Sequence, residues 1–125
     1  MKTKRFRDLL VWQRSMRLAE EIYVIARGFP KEELFGLSNQ MRRAAVSVPS
    51  NIAEGFGRDS DRGFAVFLAQ ARGSLYELET QLELARNLGL IDAQRAAPLL
   101  ADAAEVGRML HGLRSALQRN VPTSE

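Results

Sequence analysis

The chain has 125 residues, 46% apolar and 26% charged, with no cysteine and a single histidine, His111. That length suits one domain with its own core and leaves little room for two. The missing thiols and imidazoles exclude disulfides, cysteine nucleophiles, and zinc or copper sites built on several nitrogen or sulfur ligands. The net charge of +3 is unevenly placed: residues 1–19 hold Lys2, Lys4, Arg5, Arg7, Arg14 and Arg17 against Asp8 alone, and the remainder has a small acidic excess. A basic end on a nearly neutral body is a footprint of polyanion contact; its plain alternative is a solvated tail. Arginine outnumbers lysine 15 to 3, which suits bidentate phosphate contacts, although genomic base composition gives the same bias. No apolar run approaches the ~20 residues that span a bilayer. The basic start MKTKRFRDLLVWQRS lacks the apolar stretch of a secretory signal, so a soluble cytoplasmic protein is the expectation.

Proline and glycine divide the chain into four stretches of helical periodicity. The first runs from about Asp8 to Arg27, with Asp8 as N-cap and Gly28 as stop. Its seam is Leu9, Trp12, Met16, Ala19, Tyr23 and Ala26, and a second stripe of Val11, Leu18, Ile22 and Ile25 lies beside it. An apolar face that wide can touch more than one neighbour.

The second stretch is expected to start near Pro30, with Glu32 and Glu33 at the positive end of the helix dipole. Its apolar set is Leu34, Leu37, Met41, Ala45, Val48, Ile52 and Phe56, and Pro49 falls inside it. Proline in a helix interior costs roughly 3 kcal/mol, which leaves a kinked continuous helix or a break recapped by Ser47 or Ser50. The apolar spacing survives past Pro49, which favours the kink.

Asp59, Ser60 and Asp61 offer caps for the third helix, where Phe64, Leu68, Ala71, Leu75, Leu78, Leu82 and Ala85 alternate at spacings of four and three up to a close at Asn87–Gly89. Asp92 caps the fourth, with a seam of Leu99, Ala103, Val106, Leu110, Leu113 and Leu117 and with Pro98 bending its first turns. No period-two alternation predicts a strand. The fold class is therefore all-α, an antiparallel up-down four-helix bundle with a kinked second helix. Residues 1–120 form one domain with a short basic N-terminal arm, and residues 121–125 form a frayed tail.

At about 100° per residue, Gln40, Arg43, Ser47, Asn51 and Glu54 share one strip of the second helix. A solvated face is the plain reading, but such faces are usually rich in charge; amides, a hydroxyl and small residues suggest a hydrogen-bonded contact surface. Antiparallel pairing about a turn at residues 57–60 places position 43 opposite 74 and position 40 opposite 77. The expectation is an Arg43–Glu77 ion pair with Gln40 and Ser74 beside it.

These same residues carry a resemblance. Phe6-Arg7-Asp8-Leu9 with Trp12, Tyr23, Phe29-Pro30 with Glu33 and Gly36-Leu37, then Gln40, Arg42-Arg43-Ala44 and Ser47, lead into the block Ser50-Asn51-Ile52-Ala53-Glu54-Gly55 after Pro49. Gly73-Ser74-Leu75, Glu77-Leu78-Glu79, Gln81-Leu82 and Leu90-Ile91 complete the pattern. The chain resembles the 23S rRNA intervening-sequence proteins, a group that includes the accessory variability proteins of diversity-generating retroelements. The resemblance covers roughly Phe6 to Leu117. It implies an antiparallel four-helix bundle assembled as a homopentamer, often barrel-shaped with a central opening, and no enzymatic activity. The retroelement relatives imply a basic, nucleic-acid-binding partner of a reverse transcriptase.

The other chemistry-bearing residues weigh less. Trp12 and Tyr23 read as packing residues before a base-stacking platform, and His111 beside Gly112 as a surface or packing residue. Asp59-x-Asp61-x-Gly63 lacks the acidic residue that a calcium loop needs at its twelfth position, where Gln70 stands. Glu54, Asp59 and Asp61 could form a magnesium-dependent nuclease cluster, yet no second acidic motif, Glu-x-x-His pair or phosphate loop supports catalysis. No enzyme, cofactor or metal is expected. Two functions remain. In the first, a ring-shaped homo-oligomer binds RNA or DNA backbone through Lys2, Lys4, Arg5, Arg7 and Arg14, with Arg42 and Arg43 as additions. In the second, the assembly docks a protein partner without touching nucleic acid.

Overall fold

The computed structural model describes residues 5–33 and 35–119; Lys2, Lys4, Leu34 and the expected tail at 121–125 lie outside them. A 3-10 turn at Phe6–Asp8 leads into α1 (Leu10–Ala26), and a second at Lys31–Glu33 precedes α2 (Leu37–Phe56); α3 (Asp61–Asn87) and α4 (Ala93–Arg119) follow. Each helix packs against its two neighbours in a cycle, and among the described residues the backbones of the diagonal pairs α1–α3 and α2–α4 stay apart. Tyr23 lies by Arg42, Ser47 by Ser74, and Gly107 by Leu75. Adjacent helices thus run antiparallel, as in an up-down bundle.

The core is apolar through all four layers. Ile22, Met41, Ile52, Leu68, Leu75, Leu78, Leu82 and Leu110 are almost wholly removed from water. The seams expected on α3 and α4 are the buried ones, apart from half-buried Leu113. On α1 the two stripes exchange roles. Val11, Leu18, Ile22 and Ile25 face the core, joined by Leu9, Ala19 and Ala26. Trp12 and Met16 are only half-buried and Tyr23 is exposed. Both stripes have helical spacing, so periodicity alone could not decide which one faced inward.

The helix ends differ from expectation where other contacts compete for the capping groups. Asp8 does not cap α1: it sits inside the first 3-10 turn, where Arg5 holds its carboxylate at 3.2 Å, and Leu9 takes the N-cap position in extended conformation. Nor does α2 start at Pro30. Gly36 takes a non-helical conformation ahead of Leu37, and the Glu33 carboxylate reaches forward to accept the Leu37 N–H at 3.2 Å. Glu33 thus serves the positive end of α2 as expected, from outside the helix. Of the three cap candidates for α3, Ser60 does the work, its hydroxyl accepting the Gly63 N–H at 3.0 Å. Gly89, at φ +77°, closes α3 with a Schellman pair of bonds: its N–H donates to Arg86 O at 3.1 Å, and the Leu90 N–H donates to Ala85 O at 2.9 Å. The Asp92 carboxylate caps α4 through the Arg95 N–H at 2.8 Å.

Pro49 lies within a continuous α2, buried, so the break recapped by Ser47 or Ser50 does not occur. Among the described residues no helix is long and apolar enough to cross a membrane.

Candidate interaction surfaces

The polar strip of α2 meets α3, but one turn out of the expected register. The Ser74 hydroxyl donates to the Ser47 hydroxyl at 2.9 Å, so position 47 rather than 43 lies opposite 74. The reason lies one end away. A Cβ on Gly55 would stand 2.6 Å from Phe67 Cβ and 3.0 Å from Phe64 Cδ1. Glycine there lets α2 press directly onto α3, and that close approach fixes the register. The Asn51 amide completes the strip, donating to Ser47 O at 2.8 Å and to Ser47 Oγ at 3.0 Å.

Gln40, Arg43, Ser47, Ser74 and Glu77 line one polar concavity of about 610 Å³, with Asn39, Ala44 and Phe35 on its wall. The gathering expected from sequence is therefore present, but its ion pair is not. Arg43 and Glu77 are both exposed and make no salt bridge with each other; the bridges among the described residues are Arg5–Asp8, Arg58–Glu54, Arg86–Glu83 and Arg108–Glu105. Two solvated charges gain little by pairing. Glu54 leaves the strip's network altogether, since Arg58 holds it at 3.1 Å.

The block Ser50–Gly55 reads as structural once its side chains are placed. Asn51 ties α2 to Ser47, Ile52 is fully buried, Glu54 pairs with Arg58 and Gly55 admits α3. Ala53 and Ser50 border an open groove between α1 and α2.

That groove, about 640 Å³, is lined by the outer stripe of α1, namely Trp12, Met16, Ala19 and Tyr23, together with Phe6 and, from α2, Val46 and Pro49. Phe6 meets Trp12 edge-on, ring centroids 5.2 Å apart, and the Arg42 guanidinium lies over the Tyr23 ring at 5.7 Å. A shallower apolar groove of about 470 Å³ runs between α1 and α4 past Val24, Ile25, Pro98 and Leu99. Sequence reasoning missed two further features. Phe35, between the second 3-10 turn and α2, is 89% exposed. The outward face of α3 also shows Val66, Tyr76, Leu84 and Leu88 to solvent. Helical spacing could have revealed that face, because it holds few charges.

The described basic candidates do not form one patch. Arg5 and Arg7 are exposed on the first 3-10 turn, Arg5 paired with Asp8 and Arg7 over the Phe6 ring at 4.6 Å. Arg42 and Arg43 stand near the level of Tyr23, about 24 Å away at the helical rise of ~1.5 Å per residue. Arg14, half-buried, lies on the α4 side, where it helps Arg108 hold the Glu105 carboxyl below its usual range.

Two acidic side chains meet across the seam between α1 and α4. Glu21 of α1 faces Asp102 of α4; partial burial first, then that neighbouring carboxylate, pushes the Glu21 carboxyl above its ordinary value. Among the described residues no group of three histidine or acidic side chains is placed to hold a metal ion, and Glu54, Asp59 and Asp61 are not brought together as a cluster.

The whole bundle has a solved counterpart, a protein of unknown function from the S23 ribosomal protein family of Bacteroides thetaiotaomicron. It superposes with a TM-score of 0.76 over 84% of this chain and 98% of its own, at 24% identity. At that identity the likeness concerns the fold. No protein of curated function matches the chain. The sequence pattern of the 23S rRNA-intervening sequence proteins matches residues 7–112, a span that takes in all of α1, α2 and α3 and most of α4. The chain therefore belongs to the 23S rRNA-intervening sequence protein family.

Proposed function

We propose that this protein is a non-enzymatic cytoplasmic scaffold that assembles into a ring-shaped homo-oligomer, a homopentamer on the family resemblance, and binds the backbone of RNA or DNA through its basic residues. The observation that carries this reading is the concentration of positive charge on residues 1–19, with Arg7 exposed and free of any carboxylate among the described residues. One copy offers only separated arginines. Five copies of a +3 chain bring a total of +15 and repeat each arginine around a ring, which turns scattered contacts into a continuous positive field.

Phosphate contacts release counterions, so affinity falls steeply with salt and depends little on sequence. The test is fluorescence anisotropy with labelled RNA and DNA oligonucleotides of mixed sequence at 50 and 200 mM salt. Binding that weakens by ~10²-fold or more across that range, and that drops further when Lys2, Lys4, Arg5 and Arg7 are changed to glutamine, supports the reading. No binding at 50 mM salt overturns it in favour of a scaffold that docks a protein partner.

A further inference from the structure

We propose that the polar concavity between α2 and α3 is a binding site for a guanine base, carried by a free nucleotide or left unpaired in a strand. The backbone reading above draws on residues 1–19; this site adds base recognition and stands without it.

The geometry starts from the Ser47–Ser74 hydrogen bond at 2.9 Å. One turn further along, Arg43 of α2 and Glu77 of α3 stand level with each other, because the two helices run antiparallel. Both line the concavity, yet they make no salt bridge, and neither is held by another charge among the described residues. A gap therefore separates a bare guanidinium from a bare carboxylate. The Asn39 and Gln40 amides add donors and acceptors on the same wall. Phe35 lines the hollow too. It is 89% exposed, and its ring takes no part in the core. A bare ring beside unpaired polar groups is the combination that base recognition uses: the ring stacks on the face of the base while the polar groups read its edge.

Guanine is the base whose edges fit an acid opposed to a guanidinium. Its Watson–Crick edge offers the N1–H and N2–H donors to a carboxylate, and the adjoining edge offers O6 and N7 to the fork of an arginine. A guanine between Glu77 and Arg43 satisfies both groups across the gap that keeps them from pairing. Adenine sets its N1 acceptor against Glu77, and the pyrimidines lack the O6–N7 pair for Arg43. The volume of about 610 Å³ falls within the ~300–1,000 Å³ of ordinary ligand sites. A zwitterionic amino acid also matches opposed charges, but it relies on solvated ion pairs, which contribute little.

The test uses the full chain and labelled pentauridylates whose central residue is guanosine, inosine or adenosine. Fluorescence anisotropy is read at 200 mM salt, where backbone contacts are weakened. The guanosine probe is expected to bind about tenfold more tightly than the adenosine probe, and inosine, which lacks the N2 amine, falls between them. Glu77→Gln is expected to remove that preference, and Phe35→Ala to weaken the guanosine probe about tenfold. Both side chains are exposed, so helical circular dichroism stays unchanged. Changing Lys2, Lys4, Arg5 and Arg7 to glutamine should leave the guanosine-over-adenosine ratio intact, and saturation-transfer NMR with guanosine monophosphate reads the site even where no strand binds; the backbone reading and this one can thus fail separately. Displacement of the probe by guanosine monophosphate near the probe's own dissociation constant marks a free nucleotide as the occupant, and displacement only at a concentration at least a hundredfold higher marks a strand. Equal affinity for the guanosine and adenosine probes, a preference that survives Glu77→Gln, no displacement by guanosine monophosphate, or equally effective displacement by free phenylalanine overturns the site.

Discussion

Ser74 donates its hydroxyl proton to Ser47 at 2.9 Å, and this half-buried bond between α2 and α3 is the polar counterpart of the close packing at Gly55. Ser47 also accepts from Asn51 at 3.0 Å, so one oxygen serves both helices. A hydrogen bond of this kind contributes about 1 kcal/mol net. Ser74→Ala is expected to lower unfolding free energy by about that amount, and the Ser47/Ser74 double-mutant cycle should show coupling of about 0.5–1 kcal/mol. Urea unfolding of the four variants measures it.

The same cycle on Arg43 and Glu77 has the opposite expectation. The two line one concavity yet form no ion pair, and both are exposed. Their coupling should lie within about 0.3 kcal/mol of zero. A coupling of several kcal/mol would show that the pair closes in solution and that the concavity is drier than its geometry indicates.

Two glycines should respond oppositely to the same change. At Gly55 a methyl group would be driven against Phe67 and Phe64, and overpacking of that kind costs about 1–3 kcal/mol. At Gly73 a methyl group meets open space, so alanine removes a helix penalty of about 1 kcal/mol. Gly55→Ala should therefore lower the melting temperature, and Gly73→Ala should raise it. Thermal circular dichroism of both variants decides the matter.

This contrast also marks what was legible in the sequence. Periodicity placed four helices and the cores of α3 and α4, because Phe64 to Ala85 and Leu99 to Leu117 each carry one apolar stripe that recurs without a gap at every third or fourth residue. It failed on α1, whose two stripes are equally periodic; only packing reveals that Ile22 is inside and Tyr23 outside. It found the residues of the α2 strip but misplaced their register by a turn, since the close approach at Gly55 is a three-dimensional fact. Caps were readable where a single residue could serve, as at Asp92, and misread at Asp8, where Arg5 competes for the carboxylate.

The acid side chains predict a pH dependence with a definite sign. The Glu21 carboxyl is raised by partial burial and by Asp102, and the Glu79 carboxyl by burial and then Glu83. A carboxyl whose folded value is raised lends stability only below its unfolded value, near 4.5, and that contribution is lost as pH climbs through the folded value. Glu21→Gln should therefore leave the melting temperature unchanged in acid and raise it slightly at pH 7. Glu105, lowered chiefly by its hydrogen bond from Arg108, behaves in reverse: its contribution is present above 4.5 and fades as pH falls through the folded value. Since Glu105 is only half-buried and its partner Arg108 is exposed, solvent screens the pair, and Glu105→Gln should show only a small loss at pH 7.

Gln81 supplies a stability test inside the bundle. It is only 6% exposed, and its Oε1 has no hydrogen-bond partner among the described residues. A buried carbonyl stripped of water without replacement costs about 1–3 kcal/mol. Its neighbours along α3, Leu78, Leu82 and Ala85, are apolar and fully buried, so an unbranched apolar side chain of similar length fits the same space. Gln81→Met should raise unfolding free energy by about 1–2 kcal/mol, read from urea denaturation with an unchanged slope. Gln81→Ala, which removes the same carbonyl but leaves a cavity, should gain less or lose stability. If Gln81→Met instead destabilises the protein, the amide is held in solution by a bound water that satisfies the oxygen.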